Sequence, residues 1–490
     1  MQVTLNSASA EHAIKEENTL VDPKIYTIIP VFLWLLFLAN LSAIIYFLPD
    51  AIVWEWKNIF KINGFTLLIW TTVTFFSAIV SSYSSSYLRG FTYRSSFTIL
   101  SLGFLFSVML LVISNHFIPF IAAWLLMGIF MARLIGVNRA WPEAKEAAKY
   151  AQKYFLAGTL FLALGLFLIT YQSGSWSISE TIANLDQIPK YTVLISSICI
   201  IMAALIQSAS YPFQRWLLSA MTAPTPASAL MHAGFVNGAG ILLSLFSAMF
   251  FRSETLTILF IVGGITAVIA QFTKLLQVNV KQKLACSTIA QMGFMIMQCG
   301  LGFFNAAIAH LILHGFYKAY LFLSTGEEIK HSDPKLPEKI EIKPIQAVVV
   351  IVFGLLGAAL FSYLTGKGTA LNSGILLTMI VAITVGQVTY NIVKQNIFTN
   401  TQKLIYPILI FTVGILMYSG IYNAVTFLVR DMPKIDEAIP ISATHIIFGI
   451  IFLMGFFIMK LGVYKKIPWL YVKLLNDSQA HGRSIISNKK

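Results

Sequence analysis

Apolar stretches of about 20 residues, each long enough to cross a bilayer as a helix, follow one another from residue 26 to residue 463. A chain with this pattern has few folds open to it. In hydrocarbon every backbone N–H and C=O must find its partner inside the protein, which leaves α-helices and closed barrels. A barrel would show short segments of alternating polarity, and these are absent from the sequence. We therefore expect an all-α polytopic membrane protein. Composition agrees: 11% of the residues are charged, against roughly 25% in a soluble domain.

Fourteen crossings are expected, at roughly 26–48, 64–88, 96–113, 118–137, 149–171, 190–210, 226–249, 255–275, 283–303, 305–326, 345–365, 371–396, 404–424 and 443–463. An even number puts both termini on one side. The loops test this count. Arg89, Arg94, Arg139, Lys145, Lys149, Lys281, Lys283, Lys330, Lys335, Lys339, Lys343 and the tail from Lys465 to Lys490 fall on one side. The other receives chiefly Lys57, Lys61, Lys190, Arg252, Arg430 and Lys434. The positive-inside rule makes the richer side cytoplasmic. The organisation expected is a cytoplasmic N-terminal arm over 1–25, without the apolar core of a signal peptide, a transmembrane domain over 26–463, and a basic cytoplasmic tail over 464–490.

The net charge of +14 follows from this loop bias and does not indicate nucleic acid. The longest polar loop, 327–344, is a connector, so chemistry on a soluble substrate would need a partner chain. Cys199, Cys286 and Cys299 lack zinc-ligand spacing and read as packing residues. No metal site or cofactor is expected in this chain.

None of the 20 Asp and Glu residues falls in the middle of an expected crossing. The deep charges are basic: Arg133, His232, His310, His314, Lys318 and, in one reading, Lys367. This argues against a sodium cage of carboxylates. It suits a proton path, since neutral His accepts and passes a proton near physiological pH. In HLILHGFYKAYLFL, 310–323, His310, His314 and Lys318 stand four apart and share a helix face. Such a stripe cannot face lipid cheaply, so it faces a neighbouring helix or a wet cavity. Interhelical hydrogen bonding, with Lys318 reaching for water, is the plainer alternative. With three residues in register, and Tyr317 and Tyr320 beside them, we favour a proton relay.

Two interruptions stand out. In QSASYPFQRWLLSAMTAPTPASALMHAGFVNGAG, 207–240, Pro212 must break or bend the helix, and Pro224 and Pro226 make a tight connection before the next. Interrupted membrane helices often mark ion sites, although a kinked packing helix would read the same. In SYLTGKGTALNSG, 362–374, Lys367 lies between two glycines, either in a surface turn or at a break inside a long helix.

The stretches SASYPFQRWLLSAMTAPTPASALMHAG, VKQKLACSTIAQMGFM and HLILHGFYKAYLFLSTG, in that order, resemble the antiporter-like membrane subunits of respiratory complex I, NADH dehydrogenase subunit 5, and the Mrp antiporter subunit. The resemblance covers roughly residues 60–400. It implies two inverted five-helix repeats, each with an interrupted helix, and a hydrated row of charges at mid-membrane that carries protons. Residue by residue, it implies path roles for His310, His314 and Lys318, for His232 after the Pro-Thr-Pro turn, for Lys281, and for Lys367 at the second interruption. The acidic residues that usually follow that last lysine are missing. The family's first repeat pairs a glutamate with a lysine on the interrupted helix. Here WLLMGIFMARLIG places Leu125 at the glutamate, and the lysine position is Gln207. Both partners have gone together, as expected when losing one alone would strand a buried charge. Arg133 is a new charge two turns from Leu125. No counterpart of the family's long lateral helix is expected either.

These departures resemble one branch of the family, the DabB membrane subunits of inorganic carbon transporters. The likeness is strongest in LMHAGFVNGAGILL, STIAQMGFMIMQCGLG and HGFYKAYLFL. It implies a large soluble partner of the DabA type, similar to a β-type carbonic anhydrase and carrying its own zinc. Proton flow through the membrane subunit would make CO₂ hydration by that partner unidirectional. The other readings are a pumping subunit of a complex I-like redox enzyme or Mrp-type antiporter, and a structural anchor without an ion path. The first expects the missing glutamate–lysine pair, and the second makes the basic stripe dispensable.

Overall fold

The computed structural model describes residues 24–47, 53–325, 344–393, 395, 398–460 and 466–484. The expected N-terminal arm, apart from Lys24 and Ile25, and the 327–344 connector, apart from Pro344, lie outside the described residues.

Fourteen long helices run through the described chain: α1 (Ile25–Phe47), α2 (Gly64–Tyr87), α3 (Arg94–Ile113), α4 (Phe117–Ile135), α5 (Pro142–Ser173), α6 (Lys190–Gln207), α7 (Thr225–Leu245), α8 (Leu256–Leu276), α9 (Val280–Gly300), α10 (Phe304–Ser324), α11 (Pro344–Thr365), α12 (Gly374–Val393), α13 (Asn400–Leu428) and α14 (Ala443–Lys460). Twelve are long and apolar enough to cross a membrane. The other two are α9 and α14, of 21 and 18 residues, at two of the expected crossings. Starts are set by local chemistry. Asn63 caps α2 by accepting from Thr66 N at 3.0 Å, and Asn279 caps α9 by accepting from Lys281 N at 2.9 Å. A hairpin of β1 (Trp54–Trp56) and β2 (Phe60–Ile62) precedes α2. Lys57 and Asn58 turn it with positive φ, as a tight hairpin requires.

Helices α8 and α9 pack to backbone contact. A Cβ on Gly263, Gly293 or Gly300 would fall within 3 Å of backbone atoms of the opposite helix. Small residues let membrane helices approach to backbone contact. The three cysteines are buried and unpaired.

The first expected interruption is present. α6 stops at Gln207, and residues 208–224 are turns and short helices, Arg215–Ser219 and Ala220–Thr222. The second is a turn. α11 and α12 are antiparallel neighbours: Gly354 approaches Ala382, and Gly368 approaches Thr378. Gly366 and Gly368 reverse the chain with φ of 68° and 80°, values that glycine adopts without strain.

The two ends of the bundle differ. At one, the Arg94 guanidinium lies 3.8 Å over the Tyr26 ring at the start of α1. The segment after α14 docks on this end too. Its helix α15 (Pro468–Asp477) is followed by His481, whose ring stacks on Tyr150 at 4.2 Å and whose N–H donates to Ser219 Oγ. We call this the tail end. The described tail is thus a docked element, where the sequence indicated only a basic extension. Both ends of the described chain lie at this end, as an even crossing count requires. The other end is closed by the loop 429–442, stitched down at several points. Asn63 Nδ2 donates to Asp431 Oδ2 at 2.7 Å, and Ser247 Oγ donates to Pro433 O at 2.7 Å. Backbone bonds join Asn305 to Ile435, Glu437 to Gly302, and Ser373 to Ile439. We call this the loop end.

Candidate functional site

Helix α10 carries His310, His314 and Lys318 on the face turned to α7 and α9. Lys318 is fully buried. Its Nζ donates to the carbonyl of Leu284 on α9 at 3.0 Å. Among the described residues no ion pair reaches it. The His314 ring is buried, and neither of its nitrogens has a hydrogen-bond partner. The His310 ring lies 6.1 Å from that of His314 and 5.2 Å from that of Phe294 on α9. Of the two tyrosines expected beside the stripe, Tyr317 is exposed yet adjoins it, its ring centroid 5.8 Å from Lys318 Nζ, while Tyr320 is exposed two positions from Lys318, too far round the helix to share its face.

His232 meets this row from α7. It is fully buried and its ring stacks on Phe322 of α10 at 4.2 Å. Its Nδ1 lies 2.9 Å from Thr288 Oγ1, and that hydroxyl donates to Leu284 O at 3.1 Å. The one hydroxyl proton is then committed to the carbonyl, so His232 donates from Nδ1. Its Nε2 keeps a lone pair with no partner. The Leu284 carbonyl thereby joins Lys318 to Thr288 and His232. Lys281, at the tail end of α9, donates from Nζ to Ala223 O at 3.0 Å.

His232 sits in a π turn, Met231–Phe235. Such turns widen a helix and release carbonyls to side chains, often at functional sites. Here Asn237 Nδ2 donates to Ala233 O at 2.8 Å, and Gln207 Nε2 donates to Phe235 O at 3.0 Å. The Gln207 amide, where the resemblance implies a lysine, therefore makes a neutral hydrogen bond to the turn that holds His232.

Two expected residues lie apart. Arg133 is exposed on the last turn of α4 and does not join the row. A long side chain at a helix end can carry its charge out to water along its apolar stem. Leu125, on the same helix, is half-buried. Lys367 lies at the loop end, in the turn between α11 and α12. Its Nζ is 2.6 Å from Asp436 Oδ1 and 4.6 Å from the Phe303 ring centroid. Its acidic partner thus comes from the loop 429–442, 69 residues further along the chain.

Sequence reasoning missed Thr288, the π turn and Asp436. Thr288 had a signal, being four residues after Leu284 in the segment that follows Lys281. Asp436 had none, since it stands 69 residues from its partner. The buried arrangement is a set of imidazole, hydroxyl and ammonium groups with unfilled hydrogen-bonding positions: His314 Nδ1 and Nε2, His232 Nε2, Asn237 Oδ1 and Gln298 Oε1. Water molecules normally meet such needs in protein interiors.

Comparison with known proteins agrees with this geometry. The profile of a family described as NADH:quinone oxidoreductase/Mrp antiporter, TM, matches residues 114–393. A probable inorganic carbon transporter subunit DabB from Bacillus anthracis is 36% identical over 261 residues, covering 52% of this chain and 51% of that protein. NADH-quinone oxidoreductase subunit L from Pseudomonas aeruginosa is 31% identical over 293 residues, covering 57% and 48%. The chain thus spans about half the length of these curated relatives. A chain of the archaeal membrane-bound sulfane sulfur reductase superposes with a TM-score of 0.56 at 20% identity, covering 96% of both chains, which establishes the shared fold. With more than half of its residues inside the family profile, and the interrupted helix and basic row in place, the chain belongs to the membrane-spanning antiporter-like subunits of the NADH:quinone oxidoreductase and Mrp family.

Proposed function

We propose that this chain is a proton-conducting membrane subunit that couples an ion gradient to CO₂ hydration by a DabA-type zinc partner, for inorganic carbon uptake. The observation that carries the reading is the buried His310–His314–Lys318 row joined to His232 through Thr288 and Leu284, beside a first repeat in which Gln207 makes a neutral hydrogen bond. A complex I-type pump works through a glutamate–lysine pair at the positions of Leu125 and Gln207. The likeness to proteins named DabB supports the carbon role. Zinc chemistry belongs to the partner. A proton moves from the loop end, which faces the periplasm, along the row to the tail end in the cytoplasm, where the partner sits. His310, His314 and His232 accept and pass the proton as neutral imidazoles. Lys318 and Lys281 hold the positive charge at the tail end of the row. Gln207 positions the π turn.

The test is CO₂-dependent growth of a carbonic-anhydrase-deficient bacterium carrying this chain with its partner, wild type against Lys318→Ala, after both complexes are shown to assemble. Rescue by the wild type alone supports the reading. Rescue by both keeps the carbon role and removes Lys318 from the path. Failure of an assembled wild-type complex points to the redox-pump or antiporter reading.

A further inference from the structure

The row needs a point at which protons reach it from the loop end, and α10 itself leads there. Its first residues, Phe304 and Asn305, lie under the loop 429–442. Asn305 N donates to Ile435 O, and Phe303 bridges to Asp436. Asn305 Nδ2 donates to Tyr422 OH at 3.0 Å and to Thr426 Oγ1 at 2.8 Å. Tyr422, on α13, donates in turn to Asp436 at 3.4 Å. Asp436 therefore sits at the loop end of a polar column. Below it come Tyr422, Asn305 and Gln298, all buried, with Gln298 Oε1 unpartnered. One turn further along α9 from Gln298 is Phe294, the residue against His310.

Among the described ion pairs, Lys367–Asp436 is the most enclosed. Its side chains are 15% and 24% exposed, while every other pair has both partners above 30%. It is buried enough to exclude most water, yet open enough for a proton to reach it. Its partners come from two separate elements, a two-glycine turn and a loop, so it can open without breaking a helix.

We propose that Asp436 is the proton-accepting residue at the loop-end mouth of the path, and that Lys367 is its displaceable counter-ion. A hydronium ion gives its proton to the Asp436 carboxylate and leaves as water. The neutral carboxyl no longer holds the Lys367 ammonium, which stays charged and swings toward water. When the proton passes inward to the row, the carboxylate returns and the pair closes. The row then holds the proton and passes it on toward the tail end, while Asp436 and Lys367 are left as they began. The proposal rests on the proton-path reading above and adds to it the residue that admits the ion.

The test measures proton uptake by liposomes holding the chain co-purified with its partner subunit, under an imposed pH gradient, with an internal pH dye. Asp436→Asn is expected to slow uptake about tenfold or more, and Asp436→Glu to restore it. Leaving Lys367 unpaired could also harm folding, so the double variant Asp436→Asn/Lys367→Met is decisive. It strands no charge, yet it lacks the acceptor and is expected to be as slow as the single variant. Lys367→Arg grips the carboxylate through two parallel bonds. It is expected to slow uptake about threefold while assembly is unimpaired. Near wild-type uptake in the double variant, or in both Asp436→Asn and Lys367→Arg, would show a merely structural pair and overturn the proposal. In that event, loss of uptake in Lys318→Ala would leave the path itself standing. Undiminished uptake in Lys318→Ala, or none in the assembled wild type, would remove the path and this proposal with it.

Discussion

Replacing Gly293 by alanine tests whether α8 and α9 hold the site in register. A Cβ at 293 would lie 2.6 Å from Ala267 N and 2.7 Å from Gly263 O. Both atoms are backbone, so no side chain can rotate away. Ordinary contact begins at roughly 3.4 Å, and the two helices must part by about 0.8 Å. Overpacking of this kind typically costs about 1–3 kcal/mol. Thr288 lies five residues earlier on α9 and faces the other way, toward His232. Any share of the shift taken by α9 drives it against that ring, whose contact is 2.9 Å. Hydrogen bonds tolerate only a few tenths of an ångström. The assay is thermal unfolding of the detergent-solubilised complex, followed by loss of the monodisperse peak, with proton uptake measured in parallel. Gly293→Ala is expected to lower the midpoint by several degrees and to slow uptake. Gly414→Ala on α13, where nothing lies within 4 Å of an added Cβ, is the control and is expected to be neutral. An unchanged midpoint in Gly293→Ala would refute the argument that backbone contact between these helices sets their spacing.

Two further outcomes follow from the same geometry. Thr288→Val keeps the shape but leaves His232 Nδ1 without its partner, at a cost of about 1–3 kcal/mol. It should slow proton uptake, whereas Thr288→Ser should not. His481→Ala removes the stack on Tyr150, worth about 0.5–1.5 kcal/mol. Trypsin should then cut after the exposed Lys473 faster than in the wild type, and an unchanged cleavage rate would mean that the tail is held elsewhere.

How far the site could be read from sequence depended on the range of each interaction. The stripe of His310, His314 and Lys318 was legible because four-residue spacing on a helix is a local rule. The break after Gln207 was legible because Pro212 and the Pro224–Pro226 connection act on their own backbone. Lys367 remained open, since a glycine pair permits either a turn or a break. Only the packing of α11 against α12 decided for the turn. Arg133 was misplaced because its register relative to Leu125 was clear, while the direction of a long side chain on the last turn of α4 was not.

By itself the sequence determined the helices. The cost of an unsatisfied backbone in hydrocarbon forces each apolar stretch into one, whatever its neighbours do, and the expected crossings match the observed helices within a few residues in most cases. Tertiary structure alone decided which polar groups meet. The Leu284 carbonyl joining Lys318 to His232, the π turn held by Gln207 and Asn237, and the Asp436 carboxylate brought to Lys367 all link residues far apart in the chain. Such meetings arise from how whole helices pack, and spacing along one segment carries no record of them.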